Sequence, residues 1–418
     1  MKKNLQTTSL LVSLFILVIV SSCKKDNHDG LKPFKYTLYT PEYKSRSQVL
    51  AAINGNEAEP ITKAGKIYIN GNRIYLNDVD KGIHVYDNSN PARPVQVAFL
   101  AIPGSLDIAV KGNILYADMY SELLAVDITN IKKVNVVNSL SNFFYGRTYV
   151  NGHQTVVDNK IASSWKTKDT TVWAENDPRG GYCDFCPIMN FDNALANASV
   201  KGTAGSMAGM VMMNDHLYAI NEMHSLAIVD ITDAKSPKLD SAFFAGFDLQ
   251  TIFPFDNKLF LGSAIGMFMY DVKDPKHPVS IGEFAHGRAC DPVVTDGSYA
   301  YVTLHAGDGC GSTSNQLDVI DVKKLPESKL VKTYELTKPT GLCKDGNLLF
   351  VCDDKNVKIF DAVRPENLQL LKEINSKEPY DVIAFNKKAM IVCKDGLYQY
   401  NYSNVNSVKL LSFLPVKR

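Results

Sequence analysis

One short pattern recurs through the chain: an apolar residue, any residue, a position of either kind, an apolar residue and then Asp. It stands at Ile83–Asp87, Leu123–Asp127, Ile188–Asp192, Leu226–Asp230, Met267–Asp271, Leu317–Asp321, Val357–Asp361 and, with Asn in place of Asp, Leu397–Asn401. The last residues of successive copies are 40, 65, 38, 41, 50, 40 and 40 positions apart. Five of these seven spacings fall between 38 and 41, so the chain is built from one repeated unit. Each unit alternates short β-branched and aromatic runs with turn residues. Examples are Asn70-Gly71-Asn72, Lys111-Gly112-Asn113 and Asp296-Gly297-Ser298 before the box, and Asn90-Pro91, Ser236-Pro237, Asp274-Pro275 and Arg364-Pro365 after it. Turn signals every eight to ten residues mean short antiparallel strands, and four strands per unit. A unit of four strands cannot bury both faces alone, whereas units stacked in a ring can. The expected fold is therefore all-β: a β-propeller of eight four-stranded blades, or of seven if the poorly matched third unit is not a blade. Residues 64–418 would form it, after a 36–63 extension.

Leu226-Ala227-Ile228-Val229-Asp230-Ile231-Thr232, followed by Lys235-Ser236-Pro237, resembles the LVIVD repeat of bacterial and archaeal cell-surface proteins. Ile83–Pro91, Met267–Pro275 and Leu317–Val322 are similar more loosely. The resemblance covers roughly residues 64–418 and implies a propeller at the cell surface, without assigning an activity.

The N-terminus carries an address. Lys2 and Lys3 precede the apolar stretch Leu10–Val20, too short to span a bilayer, and Val20-Ser21-Ser22-Cys23 follows. Small residues before a cysteine resemble a bacterial lipobox. This implies a signal peptide at 1–22, lipidation of Cys23 and a tether at 23–35. Lys24, rather than Asp, implies the outer membrane, and Lys24-Lys25-Asp26-Asn27 resembles a surface-export tag, with the periplasmic face as the alternative. Lys+Arg 45 against Asp+Glu 44 gives a net charge of +1, so no nucleic-acid partner is expected.

Both long spacings are read as inserts in the loop between the second and third strands, at 166–186 and 305–316, on one face of the ring. Long loops confined to one face of a rigid scaffold are where a site is built. The first insert offers Trp165, Trp173, Tyr182 and Phe185, aromatics suited to stacking on a sugar or anchoring a protein. They serve equally to pack the loop down. Polar residues at the starts of innermost strands should ring the channel mouth: Asp107, Arg147, Gln250, Arg288, Asp291 and Asp381. Glu222, His224, His286 and His305 lie on loops of the same face. Solvated turns and internal salt bridges are the competing reading of each.

Seven cysteines remain beyond Cys23. Cys290 and Cys310 are expected to form a disulfide that pins the second insert, and Cys183 with Cys186 a local one. Cys343, Cys352 and Cys393 lie in strands as buried thiols. Asn77-Asp78-Val79-Asp80 and Cys352-Asp353-Asp354 lack a full calcium loop, and no nucleophile elbow, HExxH, Walker A or GxGxxG stands in the chain. No cofactor or metal is called for. The function expected is that of a monomeric, membrane-anchored scaffold that captures a protein or glycan on the insert-bearing face. The alternative is an envelope hydrolase whose site is scattered over the channel mouth.

Overall fold

The computed structural model describes residues 31–175, 207–287, 292–306 and 314–417. The chain divides into two compact units. The smaller holds residues 31–39, paired with 167–174 in one sheet, where the Thr37 hydroxyl donates to Asp169 at 2.8 Å. The larger is a β-propeller.

Among the described residues the propeller has seven four-stranded antiparallel sheets: blade 1 at 64–100, blade 2 at 108–140, blade 3 at 210–244, blade 4 at 249–285, blade 5 at 293–335, blade 6 at 339–375 and blade 7 at 379–415. Each blade runs in chain order from an innermost to an outermost strand, and the innermost strands pack against one another around the ring. Blade 7 meets blade 1 without sharing a strand. The ring is closed by a parallel bridge between Ile61 and Val416, by the Tyr380 hydroxyl on the Ala64 carbonyl, and by a reciprocal amide pair. In that pair Asn88 donates to Gln399 at 3.0 Å and Gln399 to Asn88 at 2.9 Å.

Seven blades stand among the described residues, the alternative to the expected eight. Blades 2 and 3 pack directly on each other: Tyr116 donates its hydroxyl proton to the Ala234 carbonyl at 2.7 Å, and Lys111 reaches the Ile231 carbonyl at 2.5 Å. No blade fits between them. The box at 188–192 lies outside the described residues. The described residues 141–175 leave the end of blade 2's outer strand, and 207–209 lead into blade 3. In blade 5 the second and third strands are Tyr299–Leu304 and Gln316–Asp321.

All seven remaining boxes occupy third strands. Their composition follows from position. In blade 3, Leu226, Ala227, Ile228 and Val229 are wholly buried, because a stacked blade covers both faces of its inner strands. Outer strands alternate between exposed and half-buried residues. In every blade the ladder between third and fourth strands shifts register between the third and fourth box residues. A bulge there twists the exposed edge and blunts its tendency to pair with another chain.

The terminal Asp is explained by the turn it starts. In each blade its side chain accepts from the amide two residues later, at 2.7–3.0 Å. The intervening amide donates to the turn between the first and second strands, again at 2.7–3.0 Å in all seven blades. Asn401 makes the same bond as the aspartates, so the amide substitutes without loss of the acceptor. Asp230→Ala is expected to cost about 1 kcal/mol in urea unfolding and Asp230→Asn less than half of that; equal costs would show that charge, not the acceptor, matters.

Candidate binding face

Hairpins between second and third strands share one face with the links from each fourth strand to the next first strand; this is the link face. The helix Arg46–Ala52, capped by Ser45 and Gln48, docks here, with Arg46 forked onto Glu122 at 2.7 and 2.9 Å and Val49 and Ile53 in the core. The long insertion starts at this face, where the amides of Phe143 and Phe144 both donate to the Ser121 carbonyl at 2.7 and 3.0 Å.

Trp165, expected to be presented for binding, is instead half-buried. Its indole N–H donates to the Tyr120 hydroxyl at 3.0 Å, its ring lies 6.2 Å from His153, and it packs on the core of blades 1–3. It anchors the insertion because an indole needs both apolar cover and a partner for its N–H. Trp173 is 40% exposed but belongs to the smaller unit. The expectations for Tyr182, Phe185, Cys183, Cys186, Arg288, Cys290, Asp291, Cys310 and Cys23 all lie outside the described residues.

The polar residues expected at the channel mouth do converge, but on each other. Arg147 sits in the single turn Tyr145–Arg147 of the insertion, not at a strand start. It reaches Asp80 at 3.0 Å and the Gly104 carbonyl at 3.1 Å, with Asp118 at 4.0 Å and the Tyr120 ring 5.8 Å below. Asp118 accepts from the amides of Leu106 and Asp107, both at 2.7 Å. Asp107 holds Lys66 at 2.5 Å and accepts from the Gly209 amide at 3.1 Å. Asp381, Lys66 and Asp107 sit near the starts of the innermost strands of blades 7, 1 and 2, and all are buried. Burial pushes the Lys66 ammonium down against the pull of Asp107, and pushes Asp118 up against Arg147. Asp381 is 0% exposed. One oxygen accepts from the Val382 amide at 2.9 Å and the other has no partner among the described residues. Burial drives its carboxyl well above the ordinary range, opposed by that amide and by Lys66. Arg147 is thus engaged with Asp80 and Asp118, which ties the insertion to blades 1 and 2, and Asp381 is buried in blade 7, so neither stands free at the channel mouth as expected.

Asp78 and Asp353, in the two stretches that lack a full calcium loop, are bonded within the fold. Asp78 accepts from the amides of Thr62 and Lys63, both at 2.8 Å, and from His84 at 3.1 Å. Asp353 accepts from Thr337 and Lys338 and binds Lys358 at 2.8 Å. Each aspartate ties a second strand to the link that starts its own blade. Cys343, Cys352 and Cys393 are buried, and none is in a disulfide among the described residues.

Over blade 3 this face carries exposed apolar side chains. Glu222 is exposed at the end of blade 3's second strand, and Met223 and His224 form the hairpin. His224 Nδ1 accepts from the Asp248 amide at 3.0 Å, which turns its ring against Phe247 at 5.4 Å and Phe244 at 6.3 Å; the two phenylalanines meet edge-on at 5.0 Å. Met223, Phe244 and Phe247 are 52%, 59% and 54% exposed. Gly246, with φ +146°, lets the link pass flat over the Phe268 ring, where a Cβ would come within 2.6 Å. His286, half-buried beyond blade 4, has Nδ1 2.6 Å from the Gly287 carbonyl oxygen, and half-buried His305 opens the second insert. Of the expected residues, Glu222 and His224 thus border an exposed aromatic cluster. Phe244 and Phe247 were not anticipated. The available signal was Phe243-Phe244 with Phe247, apolar residues in a link where turns are otherwise polar.

The LVIVD repeat family model matches residues 62–99 and 104–140, blades 1 and 2. These two blades are LVIVD repeats. The fold is similar to that of the computationally designed Ika8 protein, at TM-score 0.51 and 10% identity over 87% of this chain and 89% of that one. Sqt1 of Saccharomyces cerevisiae is similar at TM-score 0.50 and 9% identity, over 87% and 88% of the two chains. PorZ of Porphyromonas gingivalis, described as a bacterial surface component of the type-IX secretion system, is similar at TM-score 0.50 and 11% identity over 91% of this chain and 40% of its own. At such identities the likeness shows the propeller fold alone. No curated protein matches the sequence.

The unpaired carboxyl sets a pH test. In the unfolded chain Asp381 titrates near ~3.9. Its folded value is raised, so the stability it contributes is present below the unfolded value and is lost as pH rises through the folded one. Asp381→Asn, neutral at every pH, is expected to gain stability relative to the parent as pH rises from about 5 to about 9 in urea unfolding. A difference that stays constant over that range contradicts the burial argument.

Proposed function

We propose that this protein is an envelope binding scaffold that captures a protein partner on the link face of its propeller, with the Met223, Phe244 and Phe247 cluster as the anchor. The exposure of that cluster carries the reading. Three large apolar side chains, each more than half exposed, stand beside His224 at this end of blade 3: Met223 in the hairpin, Phe244 at the end of the fourth strand and Phe247 in the link. Aromatics and methionine are enriched at the energetic centres of protein interfaces, and a few such residues supply most of the affinity. The rigid ring presents them without the entropy cost of ordering a loop.

The Val20-Ser21-Ser22-Cys23 sequence supports anchoring through a lipid on Cys23, and the LVIVD resemblance supports the cell surface. In this reading the lipid brings the scaffold to the outer membrane and the ring holds the partner there. His84 and Asp78, a pair within hydrogen-bond reach, are both buried and bonded within blade 1, so they serve the fold.

Two tests follow. Phe244→Ser with Phe247→Ser should leave the unfolding midpoint within error and weaken the captured partner, identified by crosslinking from position 247 on intact cells, by at least about 30-fold. Unchanged capture places the anchor elsewhere. Cys23→Ala should move the protein from the membrane fraction to the soluble fraction; anchoring that persists removes the lipid from the account.

A further inference from the structure

The link face carries a second feature on the opposite arc of the ring. Over blades 6, 7 and 1, seven exposed lysines stand on consecutive links and hairpins: Lys338 and Lys355, Lys377 and Lys394, Lys417, Lys63 and Lys81. Backbone hydrogen bonds string these loops into one rim. The Asp354 amide donates to Lys338, Ser376 to Lys355, Lys394 to Lys377, Val416 to Asp395, Lys417 to Ile61 and Val79 to Lys63. The lysines are thus neighbours on a continuous track, not scattered charges. Only two are paired, Lys394 with Glu378 at 2.7 Å and Lys377 with Asp395 at 3.7 Å. Lys63, Lys81, Lys338, Lys355 and Lys417 have no ion-pair partner among the described residues. The acids on these loops are Asp354, Glu378 and Asp395, with Asp80 neutralised by Arg147. Seven lysines less three acids leave 7 − 3 = +4 on one rim, in a protein whose whole charge is +1. Glu378 feels the crowding: the bond from Lys394 comes first, and Lys394, Lys338 and Lys355 together hold its carboxyl below the ordinary range.

We propose that this lysine arc binds a linear acidic polysaccharide, its carboxylates running along the rim. Three features favour that class. A curved line of cations at repeating intervals matches a chain of regularly spaced anions, whose local field attracts it at long range. Every cation is Lys and none is Arg, which suits point-charge pairing with many dispersed anions over the forked recognition of a few fixed ones. The exposed or half-buried polar residues beside these lysines are Thr62, Asp80, Thr337, Asp354, Ser376, Glu378 and Asp395, while the apolar residues on the same loops are buried, as Ile61 and Val79, or half-buried, as Leu336 and Val416. They offer no aromatic anchor for a protein interface and no apolar wedge for a bilayer. The arc is distinct from the Phe244 and Phe247 cluster, so it stands without the partner-capture reading.

The test uses polygalacturonate as the polyuronate and dextran as the neutral control, with the full chain as it exists. Lys63→Ser, Lys338→Ser, Lys355→Ser and Lys417→Ser are combined, since none of these lysines makes an ion pair that the fold would lose. A second protein carries Lys132→Ser, Lys133→Ser, Lys324→Ser and Lys409→Ser, four exposed lysines at the opposite face, with the same loss of charge. The parent is expected to bind polygalacturonate and not dextran, with affinity falling steeply between about 50 and 200 mM salt. The arc variant should bind at least about 10-fold more weakly with a shallower salt slope, while the second variant matches the parent. Phe244→Ser with Phe247→Ser should leave this binding unchanged, which separates the two surfaces. Equal losses in both lysine variants, or no polygalacturonate binding at low salt, overturn the proposal. Capture of poly-glutamate or of phosphatidylglycerol vesicles through the arc without capture of polygalacturonate overturns the assignment to a glycan.

Discussion

In each blade the third strand leaves the interior through an Asp or Asn whose side chain accepts from the amide two residues on, while the amide between them reaches back to the first turn. These two bonds satisfy backbone groups that would otherwise be stranded where a fully buried strand meets a tight corner. They also lock the third strand to the first pair, so that the four strands form one rigid plate. Rigid plates can stack with their inner strands covered on both sides, and the apolar content of the box follows from that cover. The register shift beside the same Asp then bends the outer strand, which keeps seven exposed edges from pairing with other chains.

Stacking also decides what the channel mouth can be. Charged residues brought together at the narrow end of seven blades lose solvent, and they persist only if they pair. Lys66 with Asp107, and Arg147 with Asp80 and Asp118, do so, and in doing so they stitch the insertion to blades 1 and 2. Asp381 carries the residual cost: burial raises its carboxyl pKa well above the ordinary range. Recognition is left to the positions that the repeat does not need: the tips of hairpins and links. There the chain places an aromatic cluster over blade 3 and a lysine rim over blades 6, 7 and 1.

Some of this was legible in the residues and some was misleading. The boxes were placed in third strands correctly because burial on both faces leaves a periodic trace. The count stayed open between eight and seven because Ile188–Asp192, which lies outside the described residues, fits a pattern of only five positions, and such a pattern cannot show whether blades 2 and 3 touch. Trp165 was read as available because an indole in a long loop looks the same whether it meets solvent or Tyr120. The lysine rim was hidden by the net charge, which sums over all faces and comes to +1.

The sequence by itself determined the unit: four strands, the turn residues between them, an Asp or Asn at a fixed corner and the apolar run that requires a neighbour. These are local in the chain, within about 40 positions, so periodicity and turn chemistry report them. Only the tertiary structure decided how many units close the ring, that Gln399 meets Asn88 across 311 positions, and which polar residues neutralise each other. Those outcomes depend on distances between residues far apart in the chain. Packing sets such distances, and it leaves no period to read.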